Sequence, residues 1–188
     1  EKVIYIDPYQ LKEGAEKADI LLITHEHYDH CSVEDIKKII KPETIIVTVA
    51  DCQSKLSGLE IANITLVKPG DKINVRGTAI EAVPAYNINK QFHPKENEWV
   101  GFVFTIKGKR IYHAGDTDFI PEMKTLQNID IALVPVSGTY VMTAEEAAKA
   151  VNEFKPKTAI PMHYGAGIAG TKEDAERFKS LSKVPVVI

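Results

Sequence analysis

Short apolar runs alternate with polar, turn-rich segments along the chain. Val3 to Ile6, Ile20 to Thr24 and Thr44 to Val49 are β-branched runs of strand length, whereas Val33 to Lys41 carries its apolar residues at helical spacing. This pattern predicts interleaved α and β structure. From Asp71 to His113 the pattern changes. Lys72 to Val75, Ala79 to Ala85, Val100 to Lys107 and Arg110 to His113 read as strands joined by glycine turns such as Lys107-Gly108-Lys109, which predicts an antiparallel meander.

The pattern also repeats. Ala18-Asp19-Ile20-Leu21-Leu22-Ile23 runs through a polar loop into a helix ending Lys41-Pro42-Glu43-Thr44. Ile129-Asp130-Ile131-Ala132-Leu133-Val134 does the same into a helix ending Lys155-Pro156-Lys157-Thr158. Two strand-loop-helix-strand units predict a pseudo-twofold arrangement. Each helix has a readable start, because Ser32 is followed by Asp35 and Thr143 by Glu146; each hydroxyl is expected to cap while the acid reaches back. Loops at the carboxyl ends of strands are where such folds place their chemistry.

Composition narrows the class. With 188 residues, 44% hydrophobic and 26% charged, the chain is expected to form one globular domain, residues 1–188. The 23 basic against 26 acidic residues leave no excess for nucleic acid, and no apolar run reaches the ~20 residues of a membrane helix. No basic-then-apolar leader opens the chain. Cys31 and Cys52 form neither a CxxC pair nor a disulfide framework, so a reducing cytoplasm is the expected setting.

The first strand-to-helix loop reads Thr24-His25-Glu26-His27-Tyr28-Asp29-His30, with four ligand-type side chains in six residues. Histidines two apart on extended chain project the same way, and Asp29 and His30 can turn toward a neighbouring point. Imidazole with carboxylate is the ordinary ligand set of zinc, manganese and iron. His163 ends the strand Thr158 to Met162 and enters a glycine-rich loop. Asp116 follows the strand that ends at His113, and Gly115 lets the backbone approach closely. Asp116 is therefore a candidate bridging carboxylate; the plainer alternative is that it caps a helix over Phe119 to Leu126.

HxHxDH, a Gly-Asp-Thr and a Pro-x-His ending a strand resemble the metallo-β-lactamase superfamily. Ile6-Asp7-Pro8, Tyr112-His113-Ala114-Gly115-Asp116-Thr117, Val141-Met142-Thr143 and Ile160-Pro161-Met162-His163-Tyr164 resemble its small metal-dependent hydrolases similar to L-ascorbate-6-phosphate lactonase. The resemblance spans the whole chain. It implies an α/β fold, a four-layer αβ/βα sandwich, with two divalent metal ions at one edge, zinc first and manganese or iron as alternatives. By the same resemblance, His25 and His27 belong to a first metal; Asp29, His30 and His163 belong to a second; and Asp116 bridges them. Asp7 and His113 are implied to stand behind the ligands, with Asp7 holding the ligand loop.

Two departures stand out. The family's third histidine on the first metal aligns with Asn87, whose amide is a poor replacement. Either His93 takes its place, or the first site is weak. His93 otherwise reads as a substrate contact or as part of a surface loop. The resemblance also implies a strand pair ahead of Ile6-Asp7-Pro8 that the chain nearly lacks, as in an N-terminally truncated sequence.

Gly165-Ala166-Gly167-Ile168-Ala169-Gly170 spells GxGxxG ahead of a helix capped by Thr171 and Asp174. However, the run Val184 to Ile188 carries no acidic residue for a ribose, so this segment reads as a loop beside His163, with Tyr164 and Gly165 shaping a substrate pocket. The resemblance implies hydrolysis of a small ester-type substrate, a lactone or phosphodiester, by metal-activated water. Asp29 would orient that water, and His93 or Tyr164 would face the leaving group. The alternatives are an iron-dependent oxidoreductase with the same ligands and a non-catalytic metal-binding module, the latter suggested by Asn87.

Overall fold

Two sheets stack face to face in the computed structural model, which describes residues 2–59 and 63–188. The first sheet holds β1 (Ile4–Ile6), β2 (Ile20–Leu22), β3 (Ile45–Thr48) and β4 (Asn63–Leu66), all parallel and in chain order. The second holds β5 (Lys72–Val75), β6 (Thr78–Pro84), β7 (Val100–Ile106), β8 (Lys109–His113), β9 (Ile131–Pro135) and β10 (Thr158–Met162), in the order β10-β9-β8-β7-β6-β5. Its β5 to β8 segment is the antiparallel meander, and β8, β9 and β10 run parallel.

The helices are α1 (Val33–Ile39), the short α2 (Gln53–Leu56), α3 (Ala144–Phe154) and α4 (Lys172–Leu181). Strand β7 shows how the layers are built. Phe102 and Phe104 face the core made with β2, β3 and α1, while Val103 between them faces the core made with α3 and α4. Side chains that alternate across a pleat serve both faces only when both are covered. The layers therefore run helix, sheet, sheet, helix, as the repeat implies. β2-α1-β3 and β9-α3-β10 are the two copies, each a parallel pair joined through a helix.

Four differences from the sequence reading bear on the site. Thr143 and Glu146 close a full capping box on α3, but only Ser32 caps α1. Asp35 turns away to accept backbone N–H bonds from Gln10 at 2.8 Å and Leu11 at 2.9 Å, so it fastens the segment after Asp7 onto α1. The expected helix over Phe119 to Leu126 is instead a 3₁₀ turn over Pro121–Thr125 whose cap position is Ile120, so Asp116 caps nothing. Val184 to Ile188 adds a single bridge, Ala159 to Val186, and β4 was not foreseen. Among the described residues no helix is long and apolar enough to cross a membrane.

Candidate metal centre

The ligand-type residues lie just beyond the carboxyl ends of β1, β2, β6, β8 and β10. After β2, the chain makes one more sheet bond, Ile23 N–H to Val47 O, and then turns tightly, with the backbone N–H groups of His30 and Cys31 both donating to His27 O. That turn brings Asp29 and His30 round beside His25 and His27, while Glu26 points outward to an ion pair with Lys55. Asp7 holds the loop from behind. It accepts Thr24 N–H at 2.8 Å and Thr24 Oγ1 at 2.6 Å, and it meets His30 Nδ1 at 2.8 Å.

Three histidines, His25, His27 and His93, bring one ring nitrogen each within 4.8 Å of one another. The His93 ring is 1% exposed, so it is no part of a surface loop. Asn87 explains its position. The Asn87 amide oxygen accepts both the backbone N–H of His93 at 3.0 Å and its Nδ1 at 3.1 Å, and the amide nitrogen donates to Asp118 and to Tyr140 O. Asn87 thus stands behind the three-histidine group and orients His93, with Nε2 turned inward. The grounds for a weak first site and for a ligand-poor binding module both fall with that placement.

Asp29, His30 and His163 form the second group. His163 is the first residue after β10 and sits at φ 59°, a left-handed conformation that costs a non-glycine residue about 1–3 kcal/mol. Asp7, the first residue after β1, does the same at φ 45°. Ser137 Oγ lies 3.1 Å from His163 Nδ1 and leaves Nε2 facing inward. Asp116 stands between the groups, with Oδ2 3.3 Å from His93 Nε2 and 3.2 Å from His163 Nε2, and Oδ1 3.3 Å from His30 Nε2. Its approach requires glycine at 115, because a Cβ there would lie 2.9 Å from Val100 O.

These residues fit metal ions on two independent counts. His30 Nε2, His93 Nε2 and Asp116 Oδ1 are buried with no hydrogen-bond partner, a costly state for polar atoms unless something else satisfies them. The ligand-atom separations also match: His25 Nε2 to His27 Nδ1 is 3.1 Å, Asp29 to His30 is 3.5 Å and Asp29 to His163 is 3.6 Å. Two atoms bonded at about 2.0–2.1 Å to one tetrahedral ion lie roughly 3.3–3.4 Å apart. Asp7, His25 and His30 also cluster, but Asp7 meets the rear nitrogen of His30, which makes it the orienting partner.

The two groups differ in charge. Burial, reinforced by the charge of His30, pushes His25 well below the usual histidine range, and burial with His93 nearby lowers His27. These rings are neutral. Burial works against charge on His163, but hydrogen bonds to Asp116 and Asp29 outweigh it and push its pKa up to about 9. His30 is raised in the same sense, burial being overcome by Asp116 and Asp7. Burial opposes ionisation of Asp116 too, yet the His30 charge and the close approach of His163, His30 and His93 hold it well below the usual carboxylate range.

The remaining candidates fall around this core. His113 is buried behind it, its Nδ1 accepting Gly115 N–H at 3.2 Å. Tyr164 lines a cavity over Asp29 and His163; Gly165 does not, its N–H closing the glycine loop onto Gly170 O at 3.1 Å. The loop folds on itself, and Gly170 packs it against Ser137. Trp99 escaped the sequence reading. Its ring lies 4.9 Å from those of His25 and His27 and 5.6 Å from that of His93, anchored by an Nε1 bond to Asp51. Ser137 and Asp118 escaped it too, and no local pattern marks either.

A two-sheet sandwich with histidines and aspartates at the shared strand edge defines a metallo-β-lactamase type of site. Residues 1–163 match the family described as the beta-lactamase superfamily domain, and the chain belongs to that family. It is 34% identical to a UPF0173 metal-dependent hydrolase of Thermoplasma acidophilum over 97% of this chain and 84% of the relative. A solved structure from Parabacteroides distasonis, assigned to the metal-dependent hydrolases, is 36% identical with a TM-score of 0.84, covering 97% of this chain and 82% of that one. A metallo hydrolase from Ignicoccus hospitalis is 26% identical with a TM-score of 0.69, covering 91% and 76%. The chain thus takes its place among the metal-dependent hydrolases of the metallo-β-lactamase fold.

Proposed function

We propose that the chain hydrolyses a small ester-type substrate, a lactone or a phosphodiester, with two divalent ions, zinc first, held by His25, His27 and His93 on one side and Asp29, His30 and His163 on the other. Asp116 would be shared between them. The observation that carries this reading is the set of buried, partnerless atoms, His30 Nε2, His93 Nε2 and Asp116 Oδ1, turned toward one another at the sheet edge. Divalent ions there would supply Lewis acidity, polarising the substrate oxygen and bringing the acidity of a water toward pH ~7.

The side chains supply the rest. Asp29 lies on the floor of both cavities beside the cluster, so its carboxylate is placed to orient the attacking water and accept its proton. Tyr164, in the wall over Asp29 and His163, is placed to meet the substrate. Trp99 and the covering sheets keep the His25 and His93 rings out of water, while His27 stays in the cavity wall. Buried, free Cys31 and Cys52 suit a reducing cytoplasm.

The test is elemental analysis of protein purified without added metal, followed by chelation and a panel of lactones and phosphodiesters. Two zinc ions per chain with chelator-sensitive hydrolysis are expected. Tightly bound iron with no hydrolysis would move the reading to the oxidoreductases that His and carboxylate ligands also serve. Chelator-insensitive turnover would overturn it.

A further inference from the structure

Two cavities of about 240 and 230 Å³ open from the cluster, and Asp29, His163 and Ile168 line both. Together they fall within the ~300–1,000 Å³ usual for a small-molecule site. They are two arms of one cleft that meet above the candidate reacting centre. A substrate whose scissile bond lies over Asp29 and His163 would send one flank into each arm.

The arms are apolar away from the centre. One is walled by Tyr28, Phe92 and Tyr140; the other by Tyr9, Met162 and Tyr164 with the glycine loop. Phe92 packs edge-on against Tyr140, ring centroids 4.7 Å apart, and Tyr28 packs against Tyr9 at 5.9 Å. Yet Tyr28 remains 65% exposed and Phe92 47% exposed at the mouth. Aromatic rings held by one another in this way present a ready face to a further flat or branched apolar group.

Charge is the second observation. Among the described residues, no lysine or arginine lines either arm. The nearby cations are already engaged: Lys90 with Asp118 at 2.5 Å, Lys95 with Glu122 at 3.2 Å and Lys55 with Glu26 at 3.4 Å. Beyond the histidines and aspartates of the cluster, an anionic group on a flank of the substrate would find only aromatic and aliphatic side chains, and burying it unpaired is costly.

Resting on the ester-hydrolase reading, we infer that the substrate is an ester uncharged outside its reacting group, with an aromatic or branched alkyl flank in the Tyr28–Phe92–Tyr140 arm. Phosphorylated sugars and nucleotides are thereby disfavoured as substrates. Specificity comes from apolar contact in that arm and from rejection of remote negative charge.

The test pairs two molecules that differ by one remote carboxylate. With zinc-loaded protein, 4-nitrophenyl hexanoate should be hydrolysed at least roughly tenfold faster, by kcat/KM, than mono-4-nitrophenyl adipate, and Phe92→Ala should raise KM more for aryl esters than for ethyl esters, by roughly fivefold or more. Phe92→Lys should narrow or reverse the preference between the pair. Calorimetry with the slowly hydrolysed anilides of the same two acids reads binding independently of turnover. Preferential binding of the neutral anilide without hydrolysis of either ester would defeat the hydrolase reading and leave standing only the arm's preference for an uncharged apolar flank. Hydrolysis that favours the adipate, or equal binding of the two anilides, would overturn the inference while the hydrolase reading survives.

Discussion

The two candidate ligand groups share an edge of the molecule and have the Asp116 carboxylate between them, but they are built differently. Burial leaves His25 and His27 neutral; with His93 they are held by uncharged partners, Thr24 and Asn87, and backed by Trp99. Asp29, His30 and His163 are a charged knot, with protons on the imidazoles and Asp7 and Ser137 behind. The first group is ready to receive a cation. The second must give up protons to do so. Ligands of the same chemical type thus respond to pH in different ways because of what stands behind each ring.

The strongest way to break the comparison is to remove what the groups share. Asp116→Ala should cost about a thousandfold or more in turnover and lower metal content in both groups, checked by kinetics with elemental analysis. Asp29→Ala should leave the fold intact by circular dichroism, because its side chain lies at the cavity floor, and still lose roughly 10²–10⁴-fold in kcat. Asn87→Leu separates the groups. It should weaken one metal of a two-step titration by about 10–100-fold, as loss of a ligand's orienting partner does, and spare the other. Ser137→Ala should act on the opposite step and more gently.

The smallest effect is the pH response. Protons on His163 and His30 compete with metal, so up to pH about 9 the affinity of the second group should rise roughly tenfold per pH unit for each proton released, while the first stays nearly flat over pH 7–9. In the metal-free protein the same raised pKa acts oppositely. Its stabilisation is fully present below the ordinary value of 6.5 and is lost as pH rises through about 9. Thermal melts of chelated protein across pH 6–10 and titrations across the same range check both signs.

How much of this was legible in the sequence follows the range of the interactions. His25, His27, Asp29 and His30 announce themselves because one short loop carries them, and Asp116 and His163 because each directly follows a strand. The repeat disclosed both parallel units because apolar runs and helix caps are local features. His93 was ambiguous for a physical reason: the segment between β6 and β7 has no hydrophobic period, and its shape is set by Asn87 N–H to His93 O at 2.8 Å and the reciprocal side-chain bonds. Trp99 and Ser137 depend on contacts between distant segments. The turn of Asp35 toward Gln10 and Leu11 was hidden in the same way, since the local pattern was equally consistent with a capping box.

The clustering of four ligand-type residues between His25 and His30 has a consequence for folding. Asp116 and His163 join them only when both sheets have assembled, so the native protein offers a far better site than the open chain does. Any ion bound there would act as a fastener between distant parts of the sequence, and the melting temperature would climb with free metal by the linkage relation, about 2.7 kcal/mol at a hundredfold excess over Kd. The short loop, however, keeps its histidines close together even in the unfolded chain. Residual binding by the unfolded chain caps the gain, so the rise in melting temperature should flatten at high zinc, and a His27→Ala chain, a poorer trap when unfolded, should flatten later.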